Sequence, residues 1–249
     1  VGNMAEIMAN SDIAIGAAGS TTWERCCLGL STIQIVTAKN QQFSAQTLAR
    51  QNIVKLVNKI KEVVYLLESA FKWIENISSS ALEVCDGMGS YKVFNKMTDC
   101  KITLEKFGEV ELCNYINLNE SDKLQALNMR NHIRIKKWMH NQGSISEEDH
   151  FGFIENLEID TVRRYFLIKQ KDNIIGSINF SKINFENSLE LGIYTNPFFQ
   201  IKDAGRLLES AASQYAFIEI GVKKIKLEVY SDNERAVNFY KKCDFNLIN

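Results

Sequence analysis

Between Leu189 and Phe245 the apolar residues first alternate along the chain, then recur at helical spacing, then alternate again. Few folds accommodate that switch. Leu189, Leu191 and Ile193 alternate with Glu190, Gly192 and Tyr194, the period of a half-buried strand. From Ala204 onward Leu208, Ala211, Ala212, Tyr215 and Ile218 share one helical face. The run Lys-Ile-Lys-Leu-Glu-Val-Tyr ending at Tyr230 alternates again, and Ser231-Asp232-Asn233-Glu234 supplies the start of a further helix. The expected arrangement is a strand, a crossover helix and a second, parallel strand. The turn between Pro197 and Gly205 then sets a helix start directly behind a strand end. Free N–H groups and the positive end of the helix dipole converge at such a point, which suits a pyrophosphate.

Gln200, Asp203, Ala204 and Gly205 line that turn, and Leu227-Glu228-Val229 is followed by Asn233, Ala236, Tyr240, Lys242 and Phe245. This pattern resembles the GCN5-related N-acetyltransferases (GNAT). The resemblance implies acetyl-CoA as cofactor, with its pyrophosphate at Ala204, Gly205 and Arg206, its thioester beside Ile193 and Tyr194, and its arm along Asn233 and Ala236. It also implies Tyr240 as the acid that protonates the departing thiolate and Glu228 as the base for an incoming amine. Each has a plainer reading, Tyr240 as a core aromatic and Glu228 as a solvated strand residue. The chain departs from the family at two glycine positions, occupied by Asp203 and Asp244. A carboxylate ~4 Å from a phosphate costs about 1 to 4 kcal/mol, so Asp203 either turns to solvent or weakens the cofactor's hold.

With 249 residues, 45% of them hydrophobic, the chain can bury one large core or two ordinary ones. A net charge of -1 gives no general affinity for nucleic acid or membrane surfaces. No apolar run spans a bilayer, and the first residues lack the layout of a secretion signal. Six cysteines without a CxxC pair and without grouping among the three histidines point to a reduced, cytoplasmic setting and no metal site. The non-initiator Val1, and an end four residues after Phe245, are expected of an internal fragment with a shortened second domain.

In chain order, Met4 to Ala9 reads as a short helix, Asp12 to Gly16 as a strand, Ala17 to Thr21 as a loop and Thr22 to Gly29 as a helix. A strand over 32–36 and a helix to about Arg50 follow. Two short strands that each feed a helix predict a parallel sheet with ligands at the strands' carboxyl ends. Helices are expected over 59–72 and 73–84, a break at 86–90, and a charged, non-periodic boundary over 98–110. The expected domains are 1–99 and 110–249. The second begins with a strand over 112–118, a helix from Glu120 to Asn131, a helix capped at Ser146, and a hairpin around Lys171-Asp172-Asn173.

The run from Gly16 to Leu30 contains Gly19-Ser20-Thr21 ahead of a helix carrying Glu24, and Asn40-Gln41 lies in a second loop. Gly19 lets backbone approach an anion, and Ser20 and Thr21 can donate to it. On its own such a loop is as easily a capping box. With Asp86-Gly-Met-Gly, the segment resembles the carboxyl-terminal half of GT-B nucleotide-sugar enzymes, and among them the UDP-sugar hydrolases of pseudaminic acid biosynthesis. The resemblance implies that Gly19, Ser20 and Thr21 hold UDP phosphates, that Glu24 accepts from the ribose, and that Asn40 and Gln41 face the sugar. The catalytic histidine of those hydrolases lies in a domain outside this sequence, so no hydrolysis is expected here.

The fold class expected is therefore α/β, a partial GT-B (Rossmann-like) domain followed by a GNAT acyltransferase domain. Met129-Arg-Asn-His, Lys137-Trp-Met-His, His150-Phe151 and Leu191 to Pro197 extend the second resemblance to acetyltransferases of the same pathway, which act on the 4-amino group of a UDP-linked amino-trideoxy sugar. By that resemblance Arg130 and Asn131 face the diphosphate and sugar, Trp138 stacks on a ring, and His150 joins the substrate site. Two alternatives stay open: an acetyltransferase for protein amino termini, and a UDP-sugar-binding scaffold without turnover.

Overall fold

The computed structural model describes residues 2–185 and 187–248. The chain divides into two compact units, Val1–Ser90 and Tyr91–Asn249.

The first unit runs α1 (Met4–Ala9), β1 (Ile13–Ala17), α2 (Thr21–Cys27), β2 (Ser31–Ile35), α3 (Gln42–Arg50), β3 (Lys55–Val57), α4 (Ile60–Glu68) and α5 (Ile74–Val84). Its strands pair in parallel in the order β1-β2-β3, with Gly16 opposite Gln34 and Ile33 opposite Lys55. Ile33, Val57, Val63, Trp73 and Ile77 form one core cluster, and Cys26, Leu48, Ile53, Val54 and Ala81 another. Gly29 ends the turn after α2 at φ +64°, a left-handed conformation that favours glycine. The sequence reading missed β3 because its three residues are too few to show a period. The helix expected over 59–72 closes at Glu68, and Ala70–Lys72 tightens into a 3-10 turn.

The second unit continues with α6 (Gly89–Lys96), β4 (Cys100–Leu104), β5 (Gly108–Asn114), α7 (Glu120–Asn131), α8 (Ile133–Lys136), α9 (Glu147–Asn156), β6 (Arg164–Gln170), β7 (Asn173–Asn184), β8 (Ser188–Thr195), α10 (Ala204–Gln214), β9 (Lys224–Lys226) and α11 (Glu234–Lys241). Its sheet has the order β4-β5-β6-β7-β8-β9, antiparallel except for the parallel β8 and β9. Alternation along β6 sends Phe166 and Ile168 to one face and Leu167 to the other. Phe166 and Ile168 pack with Phe180, Leu191 and the α10 residues Leu207, Leu208, Ala211 and Ala212. Leu167 packs with Tyr115, Ala126 and Met129 of the α7 side and Ile154 of α9. Tyr215 closes the α10 side, stacked on Phe180 at 5.6 Å. Truncating a core aromatic such as Phe166 costs about 3 to 5 kcal/mol.

Four expectations need correction. The stretch expected as a boundary is a hairpin: Ile102 faces Val110 and Leu104 faces Gly108, while the units divide at Ser90. Its apolar residues are buried, and the charges lie on the solvent face, where Lys101 reaches Glu109 at 3.4 Å and Glu111 at 2.6 Å. The strand expected over 112–118 stops at Asn114, whose side chain accepts from the N–H of Ile116 at 3.2 Å and starts a 3-10 turn. Ile218 is exposed, because Tyr215–Ile220 widens to a π-helix and rotates Ile220 inward instead. The last strand ends at Lys226, so Leu227, Glu228 and Val229 form an extended segment without a strand partner.

Candidate active site

The end of β9 at Lys226 defines the site. β8 pairs with β7 along its length, from Gly176 opposite Thr195 to Asn184 opposite Ser188. On its other edge it meets β9 only through Ser188, Leu189 and Glu190. Past Glu190 and Lys226 the two parallel strands part, and the edge of β8 at Ile193 and Tyr194 has no strand against it. Successive N–H groups of a strand point to opposite edges, and Asn196 N–H already donates to Ile175 O on β7 at 2.8 Å, so it is the N–H of Ile193 that faces the open edge and is available to an acyl carbonyl.

α10 begins just beyond β8. Asp203 precedes it in the left-handed conformation, φ 61°, with its side chain exposed and making no cap bond. This explains the family's glycine at the position and shows that the carboxylate turns to solvent. Asp244 repeats the device after α11 at φ 63°. A Cβ at Gly205 would lie 3.3 Å from the Phe239 ring, so the missing side chain lets α10 and α11 approach. Ala204 is buried, and the Arg206 side chain is engaged by the Lys242 carbonyl and by Glu209 at 3.9 Å. The Asn233 side chain caps α11 by accepting from Ala236 N–H at 3.3 Å.

Tyr240 is half-buried against Phe239 and Phe245, with ring centroids 5.1 Å and 5.5 Å away. Burial pushes its phenol up to about 12, helped by Cys243 and Glu209, so it is protonated at neutral pH. Glu228 is exposed and lies 3.5 Å from His140 Nε2.

On the α7 side of the sheet the Tyr115 hydroxyl meets Ser177 at 2.8 Å and the Tyr194 hydroxyl at 3.1 Å. Burial raises both phenols. Arg130 stands near them, and its guanidinium is lowered in pKa, first by burial. Its Nη2 donates to Asn141 O at 2.8 Å, but its buried Nη1 has no partner. A buried cationic donor without an acceptor is costly, and it is chemically fitted to an incoming anion. The Asn131 amide is already committed, donating to Ile145 O and accepting from Ile145 N–H, each at 2.8 Å. It closes the loop between α7 and α9. Trp138 is half-buried with Lys137 Nζ 4.9 Å from its ring. His150 is buried, 3.0 Å from the Lys123 carbonyl, and burial lowers its pKa, so it braces α9 against α7.

In the first unit, Gly19 and Gln41 come together, the Gln41 amide nitrogen lying 3.9 Å from where a Cβ of Gly19 would stand. Gln41 Oε1 accepts from the N–H and hydroxyl of Thr37. Ser20 starts α2 without a side-chain cap bond, Thr21 is the first helical residue, and Glu24 and Asn40 are exposed. Among the described residues no cluster of His, Cys, Asp and Glu could hold a metal, and no helix is long and apolar enough to cross a membrane.

A helix start behind parting parallel strands, with a protonated phenol on the next helix, places the second unit among acyl-transferring folds. The model of the Acetyltransferase (GNAT) family matches residues 128–245, and the chain belongs to that family. It is 33% identical over 138 residues to acetyltransferase PseH of Campylobacter jejuni, an alignment covering 55% of this chain and 85% of that protein. An uncharacterized protein of Methanocaldococcus jannaschii is 22% identical over 249 residues, which cover 98% of this chain and 48% of the relative. The solved spermidine N-acetyltransferase of Vibrio cholerae, in complex with CoA and spermine, superimposes with TM-score 0.50 at 26% identity, covering 56% of this chain and 82% of that one.

Two groups near the site escaped the sequence reading. Asn179 lies opposite Gly192, and a Cβ on Gly192 would sit 2.4 Å from its side-chain oxygen. Tyr115 and Ser177 surround the Tyr194 hydroxyl. Only the strand register brings these residues together, and no local spacing encodes it.

Proposed function

We propose that the second unit transfers the acetyl group of acetyl-CoA to the 4-amino group of a UDP-linked amino-trideoxy sugar in pseudaminic acid biosynthesis. The observation that carries this reading is the parting of β8 and β9 beside the start of α10. The residues present fit acetyl-CoA: Asp203 turns the chain so that the N–H groups of Gly205 and Arg206 open the helix, while Ala204 N–H donates to Ile201 O at 3.4 Å and the Asp203 carboxylate is exposed. The cosubstrate supplies an activated thioester when bound.

The chain's own groups do the rest. The backbone N–H of Ile193 polarises the acyl carbonyl, with Tyr194 beside it holding the strand against β7. Glu228 takes the proton of the attacking amine. Tyr240 gives a hydrogen bond to the leaving sulfur. Its pKa of about 12 makes complete proton transfer to a thiol near ~8.5 uphill, so the intact phenol stabilises the sulfur as a donor. Arg130 Nη1 receives a phosphate of the acceptor, which supplies the partner it lacks. Asn233 and Ala236 lie along the cofactor arm, and Trp138 offers a ring face.

The first unit descends, in this reading, from the GT-B-like UDP-sugar domain of the hydrolase that follows in the pathway. Gly19, Ser20, Thr21, Glu24, Asn40 and Gln41 form its sugar-nucleotide loops, a reading supported by the approach of Gln41 to Gly19. The Methanocaldococcus relative, aligned across both units, supports the pairing.

The test is release of CoA thiol with a UDP-linked 4-amino sugar, beside a peptide amine and spermidine, for the chain and for Tyr240→Phe. Turnover confined to the nucleotide sugar and lost in the variant supports the reading. Turnover confined to the peptide or the polyamine sinks the substrate assignment, and no acetyl-CoA binding in calorimetry sinks the enzymatic one.

A further inference from the structure

An amine that arrives as an ammonium must lose a proton in every cycle, and a carboxylate that takes it must be emptied again. His140 stands where that second transfer is needed. It lies in the loop between α8 and α9, while Glu228 lies in the unpaired segment after β9. Its Nε2 is 3.5 Å from Glu228 Oε2, and its Nδ1 is 3.5 Å from the Tyr230 hydroxyl. Both nitrogens of the ring are thus met by the same segment.

The loop that presents His140 is held at three points. Arg130 donates to Asn141 O, the Asn131 amide pairs with Ile145, and Lys136 Nζ meets Ser144 Oγ at 3.1 Å. Other charges nearby are few: Lys137 rests on Trp138, and Lys182, which faces Glu228 from β7, is engaged with Glu190 at 2.7 Å. The side chain of His140 is 83% exposed and that of Glu228 67%, so the imidazole is the more open of the two and lies toward solvent.

We propose that His140 is a positioning residue for acetyl transfer that passes the acceptor's proton from Glu228 to solvent. The step balances without a co-reactant. The amine N–H bond breaks as Glu228 gains the proton, the carboxylic O–H breaks as His140 Nε2 gains it, and the imidazolium releases one proton to water. The inference rests on Glu228 being the base, and the experiment separates the two.

The pH profile of kcat/KM for thiol release is measured with whichever amine in the panel turns over, for wild type, His140→Gln, His140→Ala and Glu228→Gln. Imidazole is added to His140→Ala, and the His140 ring is titrated by NMR in wild type and Glu228→Gln. The expected results are an about tenfold loss at neutral pH in His140→Gln, an acid limb that moves to lower pH, rescue of His140→Ala by imidazole, and a lower His140 pKa in Glu228→Gln. If Glu228→Gln keeps wild-type activity, the base assignment fails and the relay falls with it. If Glu228→Gln is inactive while His140→Gln keeps the wild-type rate and profile, the relay alone is overturned. A loss in His140→Ala that neither imidazole nor pH alters marks a merely structural loop residue and also overturns it.

Discussion

Arg206, in the first turn of α10, donates to the main-chain carbonyl of Lys242 at the end of α11. This joins the helix start at the strand opening to the helix that carries Tyr240. Arg206→Ala removes that tie. It is expected to weaken acetyl-CoA binding and to lower kcat together, as calorimetry and thiol-release kinetics would record. A change in KM for the acceptor alone would contradict the coupling.

Asp203 holds a left-handed conformation that costs a non-glycine residue about 1 to 2 kcal/mol. Asp203→Gly relieves it and removes an anion from the turn. Because that carboxylate already faces solvent, the variant is expected to raise Tm while acetyl-CoA affinity stays within about twofold by calorimetry. Asp244→Gly, at the same φ region but beyond α11, is expected to alter Tm slightly and leave the affinity alone.

Arg130→Met should separate stability from function. An apolar side chain of similar length removes the cost of the buried, unpartnered Nη1 but also the bond from Nη2 to Asn141 O, so the two effects offset and Tm is expected to change little. KM for the nucleotide sugar is expected to rise by at least tenfold, equivalent to about 1.4 kcal/mol. A fall in Tm with unchanged KM would make Arg130 a structural residue.

Gly192→Ala places a Cβ 2.4 Å from the Asn179 side-chain oxygen. The single variant is expected to lose about 1 to 3 kcal/mol in urea unfolding. Asn179→Ala combined with it opens the space, so the double variant should recover most of the loss. Gly176→Ala offers no such escape, because its Cβ would meet the Tyr194 carbonyl oxygen, backbone, at a distance the Thr195 main chain also crowds.

Burial raises the phenols of Tyr215 and Tyr240 from 10.0 to about 12. The folded state then holds these protons more tightly than the unfolded one. The stability so contributed is complete below pH 10 and is lost as pH rises through about 12. Urea midpoints are expected to be level from neutral pH to the unfolded phenol pKa and to fall above it. Tyr240→Phe keeps the ring and should remove up to about 3 kcal/mol of that fall.

Much of the second unit was legible in the residues. Alternation at Leu189 to Ile193, the Ser146 cap, whose hydroxyl accepts from Asp149 N–H, and the turn at Lys171 all appear where local chemistry places them. The hairpin of β4 and β5 was not legible, because lysines and glutamates on its solvent face masked the alternation of Ile102, Leu104, Val110 and Leu112 beneath. Leu227 to Val229 alternate as a strand would, yet they lack a neighbour, since pairing depends on where β8 runs and not on their own pattern. The site residues divide the same way. Tyr240 and Gly205 are reached through the resemblance to acetyltransferases, while the approach of His140 to Glu228 depends on a loop closed by Asn131.

The short pairing between β8 and β9 has an evolutionary consequence. Where binding depends on main-chain atoms left over from a broken ladder, natural selection can exchange the outward-facing side chains of both strands freely. What it must preserve is the failure to zip. A relative could diverge widely in letters here and still keep its chemistry, whereas a substitution extending the ladder by a few rungs would silence the enzyme without touching a residue that meets the substrate.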